Sequence, residues 1–205
     1  MKYPKRRERG FTLVEMLVVV AILFIAVMLS APYLAKQIQR SKLIGVAQQA
    51  SGLMRMARMD AIKTSLCSMV VINTSRGYVE AFSDRDGDCL PTAADVKIGE
   101  VPLPSSVSFV SPCGTGAASV RGMTPSGGGP GVAVFRGDGS ALNSGAFRFR
   151  AVELGGAAPN YLEVFLSPAA TARIQVRKWR GATGGDCNDD LLWHTNGEGG
   201  SWKWS

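Results

Sequence analysis

The chain has 205 residues, 23 Lys or Arg against 16 Asp or Glu, a formal net charge of +7 and four cysteines. That length holds a membrane segment plus one globular domain and excludes a second large core. The positive charge does not describe a nucleic-acid-binding domain, because residues 1–10 and 11–63 each carry net +4 while residues 64–205 carry net −1.

In chain order, residues 1–10 form a stub that contains Lys5-Arg6-Arg7-Glu8-Arg9-Gly10. Residues 11–29 then read FTLVEMLVVVAILFIAVML, an apolar run with one acid, Glu15. A helix of that length spans roughly 28 Å, enough for the hydrocarbon layer of a bilayer. The run is too long and too evenly apolar for a secretory signal core, and no small-residue cleavage site follows it. It is therefore expected to persist in the mature protein. Basic residues crowd its N-terminal side, which predicts a cytoplasmic stub and an external C-terminal bulk. A carboxylate inside such a segment costs on the order of 2.5–3.5 kcal/mol, so Glu15 calls for a partner.

Helical periodicity continues beyond Pro32, which removes one backbone bond and predicts a kink. Leu43, Val46, Ala47, Ala50, Leu53, Met54, Ala57 and Ala61 recur at three- and four-residue steps, an amphipathic stripe. Arg40, Lys42, Arg55, Arg58 and Lys63 take much of the rest. The pattern predicts one long kinked helix over 11–63, its first half in lipid and its second half packed on a head.

From residue 64 onward the texture is β-like. Strands are predicted over 67–73, 76–82, 97–101, 106–110, 131–135, 146–150, 160–166 and 172–179. Gly-rich loops occupy 114–131 and 137–145, and Arg136-Gly137-Asp138-Gly139 reads as a hairpin turn. The segment 181–205 is polar and Gly-rich yet holds Trp193, Trp202 and Trp204, which predicts partial docking. The fold class is α+β: leader 1–10, helix 11–63 with 11–29 transmembrane, and a β-rich antiparallel head over 64–205.

Cys67, Cys89, Cys113 and Cys187 all follow the apolar segment, on the side where oxidation is expected. None forms a CxxC pair and the only histidine is His194, a poor basis for a zinc site. Two disulfides are expected, with Cys89–Cys113 and Cys67–Cys187 preferred among the three connectivities. Asp84, Asp86 and Asp88 stand at alternate positions around Gly87, a pattern that can converge on calcium. The EF-hand order fails there, because Gly87 precedes Asp88 and no Glu stands twelfth; acidic turn residues also cap their own backbone. No cofactor is otherwise implied.

Arg173, Arg177, Lys178 and Arg180 form the dense basic group of the head, with Trp179 among them. Phosphate contacts and base stacking on single-stranded DNA are one reading; a charged, aggregation-resistant edge strand is the other. No catalytic constellation is legible, since His194 stands alone and no nucleophile has an identifiable base.

The string Lys5-Arg6-Arg7-Glu8-Arg9-Gly10-Phe11-Thr12-Leu13-Val14-Glu15 resembles the processing site of type IV prepilins and secretion pseudopilins, and Ala31-Pro32 stands where such helices carry a proline. The resemblance implies cleavage by a prepilin peptidase after Gly10, N-methylation of Phe11, and an assembly role for Glu15. In a filament, the new amino group of Phe11 on one subunit can neutralise Glu15 of its neighbour, a pairing favoured at low dielectric. Three further stretches are similar to the GspH/FimT-like minor pilins: Met56-Ala57-Arg58-Met59-Asp60-Ala61-Ile62-Lys63, Phe82-Ser83-Asp84-Arg85-Asp86-Gly87-Asp88 and Val134-Phe135-Arg136-Gly137-Asp138-Gly139-Ser140. That group implies antiparallel strands packed on the helix, and some of its members bind DNA through arginines near the last strand. Here Ala172-Arg173-Ile174-Gln175 replaces the Gly-Arg-x-Arg often found there, and the tail after Trp179 is longer. The expected role is a minor pilin that primes or tips a type IV pilus. It starts in the bacterial inner membrane with its head in the periplasm, and its partners are other pilins. A minor pseudopilin of the type II secretion system and a DNA receptor for transformation are the alternatives.

Overall fold

The structure, a computed structural model, describes residues 12–113, 120–123, 131–151, 161–180 and 189–195. The leader, Gly10, Phe11, Cys187, Trp202 and Trp204 lie outside the described residues. The chain divides into two compact units, residues 1–38 and 39–205. Helix α1, Leu13–Thr64, supplies the described part of the first unit and opens the second.

In the first unit the helix begins where the sequence offers a cap: Thr12 Oγ1 accepts the Glu15 N–H at 3.2 Å. Thr-x-x-Glu is a capping-box pattern, and an acid in the first turn suits the positive end of the helix dipole. The large apolar side chains from Leu13 to Leu29 are exposed, and the helix is long and apolar enough to cross a membrane. Position 32 stays within the helix.

In the second unit all eight stripe residues are buried, none more than 6% exposed. They form one core with two antiparallel sheets. The first sheet holds β1 (Ser68–Asn73), β2 (Tyr78–Ser83), β3 (Val96–Pro102) and β6 (Val132–Phe135) in the order β3-β2-β1-β6. The second holds β4 (Val107–Ser108), β5 (Val120–Arg121), β7 (Gly145–Ala151), β8 (Tyr161–Leu166), β9 (Ile174–Trp179) and β10 (Trp193–Thr195). Its path is β10-β9-β8-β7-β4, with β5 also paired to β7.

Alternation along the strands divides labour between faces. Val70, Ile72, Phe147, Phe149, Leu162 and Val164 join the helix stripe. On the other faces Met69, Val71, Val132 and Val134 cluster with Cys67 and Cys89, while Tyr161, Trp179 and Trp193 cluster with Cys113. Gly99 in β3 permits a close approach to the helix, since a Cβ there would lie 2.6 Å from Met56 Cε. Two polar residues of α1 tie it to the head. Arg58 Nε donates to the Gly139 carbonyl at 2.9 Å, and Asp60 Oδ2 accepts from Ser68 Oγ at 2.8 Å.

One expectation is met and one is corrected. Residues 136–139 form the expected hairpin turn: the Arg136 N–H donates to the Ser140 carbonyl at 2.9 Å, and Phe135 at the end of β6 bridges Ala141 antiparallel. The pairing stops there, because β6 pairs along its length with β1 and β7 belongs to the other sheet. Strands β5 and β10 arise in segments read as Gly-rich loop and tail, and Trp193 docks at 3% exposure.

Candidate functional site

At the N-terminus the chemistry is concentrated on Glu15. It occupies the first turn of α1, exposed among exposed apolar side chains. Among the described residues no Lys or Arg pairs with its carboxylate. A charge placed there is a demand for a partner outside this part of the chain.

The basic group around β9 is arranged differently from a cationic face. The register sets Arg148 of β7, Glu163 of β8, Arg177 of β9 and Thr195 of β10 side by side across the second sheet. Glu163 is fully buried, and it accepts from Arg177 Nε at 2.7 Å and from Arg148 Nε at 3.4 Å. Arg177 reaches onward to Asp190 at 3.1 Å, and Asp190 also pairs with Arg121 at 3.1 Å. The Arg177 guanidinium lies 3.5 Å from the centre of the Phe165 ring. Burial pushes the Glu163 carboxyl above its ordinary range while Arg177 and Arg148 pull it back. Burial likewise lowers Arg148. At Asp190 burial acts upward, but the bonds and charges of Arg177 and Arg121 prevail and hold the carboxyl low.

Arg177 is thus 6% exposed and spent on two carboxylates. Lys178 is equally buried, its pKa lowered by burial and then by the charges of Arg180 and Arg40. The expected four-cation DNA surface is corrected accordingly: among the candidates only Arg173 and Arg180 are exposed. Strand parity correctly puts Arg173 and Arg177 on one side, where both line a cleft with Gln175, but parity does not reveal what covers that side. Glu163, Arg148 and Asp190 were missed. For Arg148 and Glu163 the signal was a charge placed inside an apolar strand run, Phe147-Arg148-Phe149 and Leu162-Glu163-Val164, a mark that Asp190 lacks.

The acidic turn is built on Asp84, which is fully buried. Its two oxygens accept the N–H groups of Gly87 at 2.7 Å and Cys89 at 3.1 Å. Asp88 accepts from the Leu90 N–H at 2.7 Å, and Asp86 from the Thr92 hydroxyl at 3.0 Å. Asp95, unnoticed in the sequence, closes the loop by accepting from the Arg85 and Thr92 N–H groups at 3.1 and 2.7 Å. Carboxylate oxygens of Asp84, Asp86 and Asp88 lie within 4.8 Å of one another.

The same loop carries a disulfide between Cys67 and Cys89, Cα atoms 5.4 Å apart. This replaces the preferred Cys89–Cys113 and Cys67–Cys187 pairing. The reason is local: Asp84 N–H donates to the Cys67 carbonyl at 3.1 Å, folding the turn after β2 back over the entry to β1. Cys113 is disulfide-bonded as well.

Residues 5–31 match the prokaryotic N-terminal methylation motif. No curated protein matches the sequence. Among solved structures, the chain is similar to the type IV minor pilin FimU of Pseudomonas aeruginosa. That likeness has 12% identity, a TM-score of 0.46, and covers 67% of this chain and 89% of that one. The minor pseudopilin EpsH from the type 2 secretion system of Vibrio cholerae is similar at 9% identity and a TM-score of 0.44, covering 65% and 95%. Both likenesses are distant. The chain thus carries the prokaryotic N-terminal methylation motif, which runs into a long helix followed by an antiparallel β-rich head.

Proposed function

We propose that this chain is a minor pilin, a structural subunit of the GspH/FimT-like kind that primes or tips a type IV pilus. A prepilin peptidase removes residues 1–10 and methylates Phe11. The protein waits in the inner membrane with its head in the periplasm, and it enters the filament through its N-terminal helix. The observation that carries this reading is the methylation motif over 5–31 and, within it, Glu15, an exposed carboxylate in the first turn of an apolar helix that has no ion-pair partner among the described residues. Such a group is stable at low dielectric when a cation from a neighbouring subunit meets it, and the processed Phe11 amino group supplies one.

A minor pseudopilin of a type II secretion system uses the same leader and helix and is the second reading. The test is a clean deletion strain scored for surface pili and for enzyme export. Loss of pili, restored by the wild-type gene and not by Glu15→Leu, supports the pilus. Unchanged piliation with defective export shifts the protein to the secretion machine. Full restoration by Glu15→Leu would remove the assembly role of that residue.

A further inference from the structure

Two charged residues bound the helical part of the first unit. From Met16 to Ala35 there are 20 residues without a charge, with Glu15 before them and Lys36 after. All lie within α1. At 1.5 Å per residue, Glu15 and Lys36 stand roughly 31 Å apart along the helix, the thickness of a hydrocarbon layer. Inside that stretch the Ser30 hydroxyl donates to the Val27 carbonyl at 3.1 Å, so it asks nothing of a lipid surrounding. A span over 11–29 would put Glu15 inside the layer. A span over 16–35 puts both charges at its boundaries, where the cost of a carboxylate is smallest.

The far boundary carries a second feature. Tyr33 is 69% exposed and Lys36 is exposed as well. They are three residues apart and share a helix face. A tyrosine ring rests at headgroup level, and a lysine lays its stem along apolar surface while its ammonium reaches the polar layer. The chain supplies no nearby counterion, since no Asp or Glu stands between Glu15 and Asp60. Lipid phosphates lie at that level. A headgroup of net negative charge attracts the ammonium, whereas a zwitterionic one already carries its own cation.

We propose that before assembly residues 16–35 form the membrane span, and that Tyr33 and Lys36 anchor its outer end on an anionic phospholipid headgroup while Glu15 rests at the inner boundary. The inference rests on the membrane-resident stage proposed above, and it holds for a pilus or a pseudopilus alike. It also dates the demand of Glu15 for a cation. In the bilayer the carboxylate stays within reach of water, and the demand arises when the helix leaves lipid for the interior of a filament.

The experiment places the full chain in nanodiscs of equal parts phosphatidylglycerol and phosphatidylcholine. Tyr33→p-azidophenylalanine keeps the ring and makes it a photo-crosslinker, and mass spectrometry identifies the lipid adducts. Phosphatidylglycerol adducts should exceed phosphatidylcholine adducts by roughly fivefold, the preference one lysine at a charged surface gives. Lys36→Gln should bring the two near parity and Lys36→Arg should keep the preference. Lys63→Gln, at an exposed lysine of the head, should leave it unchanged. The span is read separately: against the wild-type chain, Ala31→Cys should resist a membrane-impermeant maleimide while Ser41→Cys, at an exposed position, reacts. Equal adducts of both lipids, indifference to Lys36→Gln, chain-to-chain crosslinks in place of lipid adducts, or ready labelling of Ala31→Cys would overturn the proposal. A chain that never enters the nanodisc would overturn the membrane-resident stage itself, and the proposal with it.

Discussion

Glu163 is the residue on which the outer face of the second sheet depends. It is the shared counterion of Arg148 and Arg177, all three buried. Such a triad is not in itself a large source of stability, but removing one member leaves the others as buried, uncompensated charge. Glu163→Gln should therefore lower unfolding free energy by about 3–5 kcal/mol, read by denaturant titration of the head. Glu80 carries a pH dependence of defined sign. The Lys97 ammonium, 2.7 Å away, holds its carboxyl below the ordinary value of 4.5 despite the opposing effect of burial. A lowered folded-state pKa means the contribution is present above pH 4.5 and is lost as pH falls through the folded value. Glu80→Gln should flatten the acid limb of melting temperature against pH and leave the slope near neutrality unchanged. Of these residues the sequence disclosed little, because an ion pair across adjacent strands depends on register. Glu15 was legible because its surroundings are contiguous: one acid in an apolar run is visible without any knowledge of pairing.

At the scale of elements, legibility followed the range of the signal. The eight stripe residues of α1 are all buried, since a 3.6-residue period is written locally and tertiary packing only had to accept it. Strands with valine-rich runs were also found, to within a few residues. Strands of two and three residues, β5 and β10, carry too few positions to show alternation, and their pairing comes from the neighbours they meet. The disulfide belongs to the same lesson, for spacing along the chain says nothing of how a turn folds back. Cys67 and Cys89 are separated by 22 residues. On chain-entropy grounds a loop of that size is worth about 3 kcal/mol, and the turn it fastens also rests on Asp84. The Cys67→Ser, Cys89→Ser double variant should lose about that much stability in oxidising buffer. Under reductant the wild type and the variant should fall to a common level, below the oxidised variant because the Cys113 disulfide is lost too. An unchanged midpoint for the variant in oxidising buffer would remove the Cys67–Cys89 disulfide from the account.

For the whole molecule, the two compact units correspond to two kinds of demand. The described residues up to 38 expose apolar surface, which water does not satisfy, and one carboxylate, which an apolar surrounding does not. Residues from 39 onward bury their own core on both faces of the sheets and hold the buried charges of Arg148, Glu163 and Arg177 in mutual ion pairs. A self-sufficient head on an unsatisfied helix is the physical signature of a subunit that completes itself by assembly. The most direct measurement is mass spectrometry of this chain's N-terminal peptide in sheared surface filaments. The account predicts a peptide that begins at N-methylated Phe11 in the filament fraction, absent from that fraction in the Glu15→Leu strain. A chain that still begins at Met1, or one that never leaves the membrane fraction, would contradict it.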